Sequence, residues 1–156
     1  MTVTRAIEPW IRDPLVRFVN EAGARLTLIM TPAGQVMAQH GFTRAVDVMA
    51  AAALGAAIVS STREIAKTMG EEAFTALNHQ GEQHGIFLSE MESPRGPLLA
   101  LVVYGSESSV GLVQLFFEDL ERDLAQACPH VKPTGPVLAA DFERELNDSL
   151  ASLFGR

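Results

Sequence analysis

In the stretch RLTLIMT, Leu26, Leu28 and Met30 alternate with Arg25, Thr27 and Thr31. A period of two predicts a strand. PAGQ follows with turn chemistry, and VMAQHG returns as the second strand of a hairpin. Upstream, Pro14 suits the first turn of a helix with Asp13 as its cap. Leu15, Val16, Phe18 and Val19 form the apolar face of that helix, which ends near Gly23. From Ala45 to Met69 the period lengthens to that of a helix closed by Gly70. Val48, Ala52, Ile58, Thr62, Ile65 and Met69 share one face, which is expected to lie on the sheet. Ala50, Ala53, Ala57, Ser60, Ser61 and Glu64 share the other.

FTALNHQ and GIFLSEM read as strands on either side of a turn, and PLLALVVYG is continuously apolar, as a central strand covered on both faces is. Ser108 or Ser109 is placed to cap a helix in which Leu112, Phe116, Leu120 and Leu124 recur every four residues, and Pro129 ends it. The predicted order is α-β-β-α-β-β-β-α plus a tail helix. This is an α/β fold, a three-layer α/β/α sandwich around a five-stranded antiparallel sheet. The expected domain is residues 11–127, followed by a Pro- and Gly-containing linker at 128–137 and an amphipathic helix at 138–156. Phe142, Leu146, Leu150 and Phe154, with Leu153 beside them, stripe one side of that tail helix.

The 156-residue chain carries a net charge of −7 with its Lys and Arg scattered, a pattern that argues against nucleic acid. Cys128 is the single cysteine, so no intramolecular disulfide is possible, which suits a reducing cytosol. The first ten residues lack the apolar core of a signal peptide. The longest apolar run, VMAAAALGAAIV at 48–59, is shorter than the roughly 18–20 residues of a membrane span. It is expected to be a buried helix of a cytoplasmic protein with no membrane insertion.

Candidate chemistry concentrates in NHQGEQHGIF, where His79 and His84 bracket Glu82 in a glycine-flanked turn. A metal centre needs a third or fourth ligand at fixed geometry, and neither His40 nor His130 has ligand spacing. The expectation is two polar strand-end histidines, with no metal and no cofactor. GSESSVG has the look of a phosphate loop, but Leu112 stands where the P-loop lysine belongs. Glu118, Asp119, Glu121 and Asp123 follow helical spacing, as a solvated face does. No residue set is assigned a catalytic role. The small-residue face is the more informative feature, because a second smooth, weakly polar helix face suggests a partner. Ala50, Ala53, Ala57, Ser60, Ser61 and Glu64 are therefore the candidate contact residues.

IAKTMGEEAF closing the long helix, HQGEQHGIF at the hairpin and SVGLVQLFFEDLERDLA in the next helix occur in a set order, with LASLF in the tail. In these stretches the chain resembles the Roadblock/LC7 family over residues 11–127, and in particular the family's bacterial regulators of a small Ras-like GTPase. Residues 1–10 match nothing in that family. The resemblance implies a non-catalytic homodimer that pairs through a sheet edge and the long helices. On that platform the GTPase would sit and use its own catalytic residues. Arg63 is the one arginine on the long helix that could act as an arginine finger, a role the resemblance argues against. The resemblance also implies that the tail stripe of Phe142, Leu146, Leu150, Leu153 and Phe154 contacts the GTPase. A scaffold subunit or a small-ligand sensor is the alternative.

Overall fold

The computed structural model describes residues 3–72, 74–129 and 136–154, and the side chains of 136–142 lie outside the described set. Ten elements follow in order. They are β1 (Thr4–Ala6), α1 (Pro9–Ala22), β2 (Ala24–Met30), β3 (Val36–His40), α2 (Ala45–Thr68), β4 (Ala76–Gln80), β5 (Gly85–Ser93), β6 (Gly96–Tyr104), α3 (Val110–Ala127) and α4 (Pro136–Leu153). The sheet order is β1-β3-β2-β6-β5-β4, with every neighbouring pair antiparallel.

The three-layer architecture is as the sequence implies, but the sheet has six strands rather than five. The extra strand comes from the N-terminal segment that resembles nothing in the family. Thr4, Arg5 and Ala6 pair with His40, Gln39 and Ala38. The Thr4 hydroxyl lies 2.9 Å from Nδ1 of His40. Three residues carry too little periodicity to be read as a strand.

The helices are unequally shared between the two sheet faces. Ile11, Leu15 and Phe18 of α1 and Val113, Phe117, Leu120 and Leu124 of α3 pack with Ile29, Phe87, Met91 and Val102 on one face. Phe87 and Phe117 meet edge to face with their centroids 5.2 Å apart. Across the sheet, α2 alone covers Leu28, Met30, Leu88, Leu99 and Leu101. β2 and β6 are central and buried on both faces, so Thr27 and Ile29, on the side opposite Leu28, are as inaccessible as it is.

Several boundaries differ from the sequence reading. α1 starts at Pro9 with Glu8 as its N-cap, and Pro14 lies inside the helix rather than in a first turn capped by Asp13. A proline at the first helical position is favoured because its missing N–H is unpaired there in any case. Pro14 instead removes one interior hydrogen bond and is buried against the core. Gly23 ends α1 in the left-handed region at φ 65°, as its position predicts. α2 ends at Thr68 with Met69 as its C-cap, and Gly70 lies just beyond at φ 75°. In α3 the apolar stripe runs through Val113 and Phe117 rather than Leu112 and Phe116, joining the predicted Leu120 and Leu124. Ser109 caps α3 by accepting from the Leu112 N–H, whereas Ser108 donates to the carbonyl of Ala22. Cys128 is buried, and α4 begins at Pro136, two residues earlier than expected.

Candidate functional site: an outward helix face beside an open sheet edge

α2 packs on the sheet with small residues. Its buried positions are Val48, Ala52, Gly55 and Ala66. A Cβ on Gly55 would come within 2.7 Å of Cε of Met30, so this helix approaches the sheet too closely for larger side chains beneath it. The large residues therefore point away. Met49 is 70%, Leu54 65%, Ile65 54% and Met69 65% exposed, and Val46 and Ile58 are exposed with them. The sequence reading placed Ile58, Ile65 and Met69 on the sheet side; Ile58 does border β4, whereas the structure turns Ile65 and Met69 outward. The candidate residues Ala50, Ala53, Ala57, Ser60, Ser61 and Glu64 are all exposed, interleaved with those large apolar side chains. The outward face is thus more apolar than the alanines and serines alone suggested.

The helix read as buried is, over most of its surface, not buried by its own chain. By length and composition α2 is the one helix among the described residues that could cross a membrane, and 22% of its apolar window is buried. Contiguous exposed apolar surface of this kind marks an interaction site.

Arg63 turns inward. Its guanidinium donates to Glu90 of β5 at 2.8 Å, which holds it against the sheet rather than out towards a partner.

The C-terminal half of α2 lies over β4, where Ile58 and Thr62 form a crevice with Phe74, Ala76 and Leu77. β4 pairs only with β5, so its outer main-chain groups have no strand partner among the described residues. An unpaired edge strand is a template for another chain.

The hairpin NHQGEQHGIF adjoins that edge. β4 and β5 form it as predicted, with the Gly81 N–H donating to the carbonyl of His84 at 2.8 Å. Its glycines have structural reasons. Tyr104 of β6 lies across Gly85 of β5, where any Cβ would sit 2.2 Å from the ring. The phenol then donates to Asn78 Oδ1 at 2.8 Å, with Gln80 Oε1 also close to its single proton at 3.2 Å. One side chain thereby ties the edge strand to the centre of the sheet.

His84 lies 2.9 Å from a nitrogen of Arg25, whose other two nitrogens bind both oxygens of Glu107 at 2.6 and 2.9 Å. The hydrogen bonds from Arg25 hold the Glu107 carboxyl below the usual glutamate range, and those to Glu107 raise Arg25 in turn. GSESSVG is thus a strand-to-helix loop anchored by Glu107, Ser108 and Ser109. At the opposite edge, burial lowers the pKa of His40. Among the described residues no group of three or more His, Cys, Asp or Glu could hold a metal ion.

In the tail, Leu146, Leu150, Leu153 and Phe154 are all exposed along α4. The side chain of Phe142 and most of the linker lie outside the described residues.

The comparisons with known proteins agree with this geometry. MglB of Myxococcus xanthus superimposes with a TM-score of 0.69 at 22% identity, covering 77% of this chain and 95% of that one. The gliding protein MglB of Thermus thermophilus gives 0.66 at 26% identity, covering 76% of this chain and 87% of that one. A structure of MglB in a tetrameric arrangement gives 0.64 at 26% identity, covering 74% of this chain and 85% of that one. No curated protein sequence matches. The Roadblock/LC7 domain profile matches residues 12–102, more than half of the chain, and the chain belongs to the Roadblock/LC7 family.

Proposed function

We propose that this protein is a cytoplasmic, homodimeric regulator of a small Ras-like GTPase of the MglA type, with no catalytic residues or cofactor of its own. The observation that carries the reading is the outward face of α2, apolar along its length and lying beside the unpaired edge of β4. Two copies joined at β4 bring their α2 helices together as a platform built on Ala50, Ala53, Ala57, Ser60, Ser61 and Glu64. A stable pairing of this kind buries on the order of 1,200–2,000 Å². The folded unit is the Roadblock domain at 11–127, extended by β1, and α4 is a separate contact element joined to it by a linker.

The regulator acts by preference for one conformation. A dimer that binds the active arrangement of the GTPase switch loops more tightly shifts their population towards it. The ion pair of Arg63 with Glu90 supports this over an inserted arginine. The exposed stripe of Leu146, Leu150, Leu153 and Phe154 offers the GTPase a second contact of the helix-in-groove kind.

The experiment is GTP turnover by the MglA-type GTPase with and without this protein. Stimulation that survives Arg63→Ala and is lost in Ala57→Arg is expected. Binding without any change in turnover or nucleotide exchange would make the protein a scaffold subunit. Failure to bind would overturn the reading.

A further inference from the structure

The N-terminal end of α2 forms an apolar groove with the strand pair β1–β3. Its volume is about 330 Å³, and its walls are Ala6, Ile7, Val36, Met37, Val48 and Met49, with Arg5 on the rim. Ile7 and Met49 are largely exposed, as are Val3 and Val46 nearby in sequence. The groove exists because β1 adds a strand beside β3.

Arg44, the N-cap of α2, adjoins Ala45 on the groove wall. Arg5 and Arg44 are the two cations among the described residues with no acidic or other polar partner. Arg12, Arg17, Arg25, Arg63, Lys67, Arg95 and Arg122 all have ion pairs, and Arg144 has a contact. An unpaired arginine on the rim of an apolar groove, with a second adjacent in sequence to its wall, suits an amphipathic occupant with acidic flanks.

The chain contains such a segment. α4 exposes Leu146, Leu150 and Leu153 along one side. At about 100° per residue, Glu143 and Glu145 fall on opposite flanks of that stripe, roughly 60° and 100° from Leu146. A helix of this length is marginal alone in water, so a seat for the stripe stabilises it.

The end of α3 lies on the opposite face of the sheet, so the linker would reach the groove around the edge strand β1. Gln126 and Ala127 share a cleft with Pro9 and Trp10 at the start of α1, just after Ala6 and Ile7 of the groove. Residues 129–135 separate Cys128, the C-cap of α3, from Pro136, the start of α4. At roughly 3.3–3.6 Å per residue, those seven residues span at most about 25 Å, which sets the limit for seating within one chain.

We infer that the groove between β1, β3 and the start of α2 is a resting seat for α4 of the same chain. Arg5 and Arg44 meet Glu143 and Glu145 there. The stripe is then withheld from any partner until it is released, so β1 acts as part of a latch. In the structure the stripe is exposed.

The test uses the full chain alone, so its outcome is independent of the GTPase reading. A nitroxide is attached at Ser149→Cys, Cys128 being buried, and the methionine methyls are followed by NMR. Met37 and Met49 line the groove, whereas Met69 and Met91 lie elsewhere. The methyls of Met37 and Met49 should broaden selectively at low ionic strength. Leu150→Asp should abolish the broadening. Arg5→Glu with Arg44→Glu should reduce it several-fold, and adding Glu143→Arg with Glu145→Arg should restore it. Mixing nitroxide-labelled and isotope-labelled chains should produce none. The inference is overturned if Met37 and Met49 are unaffected, if all four methyls broaden alike, if charge reversal has no effect, or if broadening appears only between chains.

Discussion

The two faces of the sheet are built by different rules. One face is covered by α1 and α3, whose Leu15, Phe18, Phe117 and Leu124 interdigitate with Phe87 and Met91 and reach almost no solvent. The other is covered by α2 alone, which meets the sheet through Val48, Ala52, Gly55 and Ala66 and turns Met49, Leu54 and Ile65 outward. On the first face large side chains are spent on the fold. On the second, small ones hold the helix close and several large ones stay exposed. Position along the chain says little about a residue's task, and the face it serves says more.

The largest effect should come from cutting into the two-helix face. Phe117→Ala should lower unfolding stability by about 3–5 kcal/mol, because it removes a buried ring and its contact with Phe87. Denaturant titration reads this directly, and a loss near zero would show that the two faces are not different in kind.

Ala57→Arg should do the converse. It should leave the helical signal and the stability of the isolated chain within about 0.5 kcal/mol. It should also weaken self-association or partner binding by about 2 kcal/mol or more, since the charge is desolvated without a partner. Light scattering at tens of micromolar checks it, and an unchanged particle mass together with unchanged GTPase binding would place the interface elsewhere.

A smaller effect should mark the end of the sheet, where a residue of the two-helix core reaches the edge strand. Gly85→Ala puts a methyl into the Tyr104 ring. It should cost about 1–3 kcal/mol as overpacking and release Asn78 and Gln80, seen as faster amide exchange in β4 than in β6.

The smallest is a pH effect at the Arg25 junction. Glu107 has its folded pKa lowered, chiefly by hydrogen bonds from Arg25. Its contribution is therefore present above the ordinary glutamate range and lost as pH falls through that range towards the lowered value. Exchange protection of the 81–84 turn should fall on acidification in the natural protein and be flatter in Glu107→Gln.

The layer architecture was legible because period and run length report on burial. PLLALVVYG gives β6 away as central, and the alternation in RLTLIMT gives β2, although only pairing reveals that Thr27 is buried too. The orientation of α2 was not legible. In an alanine-rich helix, size does not mark the inward face, and the closeness allowed by Gly55 over Met30 exists only in three dimensions. Pro14 was misleading because it sits in a position where proline is unusual, while Pro9 performs the role assigned to it. In the candidate site, the exposure of the alanines and serines was legible in the spacing, but that of the large apolar residues between them was not. The clamp of Tyr104 on Asn78 and Gln80 had one available sign, the glycine that follows His84 in a strand otherwise made of larger residues.

β1 gives the molecule a direction. On one side of the sheet the last strand is three residues long, and on the other β4 runs for five with no outer strand partner among the described residues. In terms of assembly, such a chain has a valence of one through its strands. A two-fold pairing at β4, as proposed, would use that valence on both copies at once, since a three-residue strand offers little for another sheet to pair with. Edge pairing of that kind would close at two copies instead of growing into a fibre.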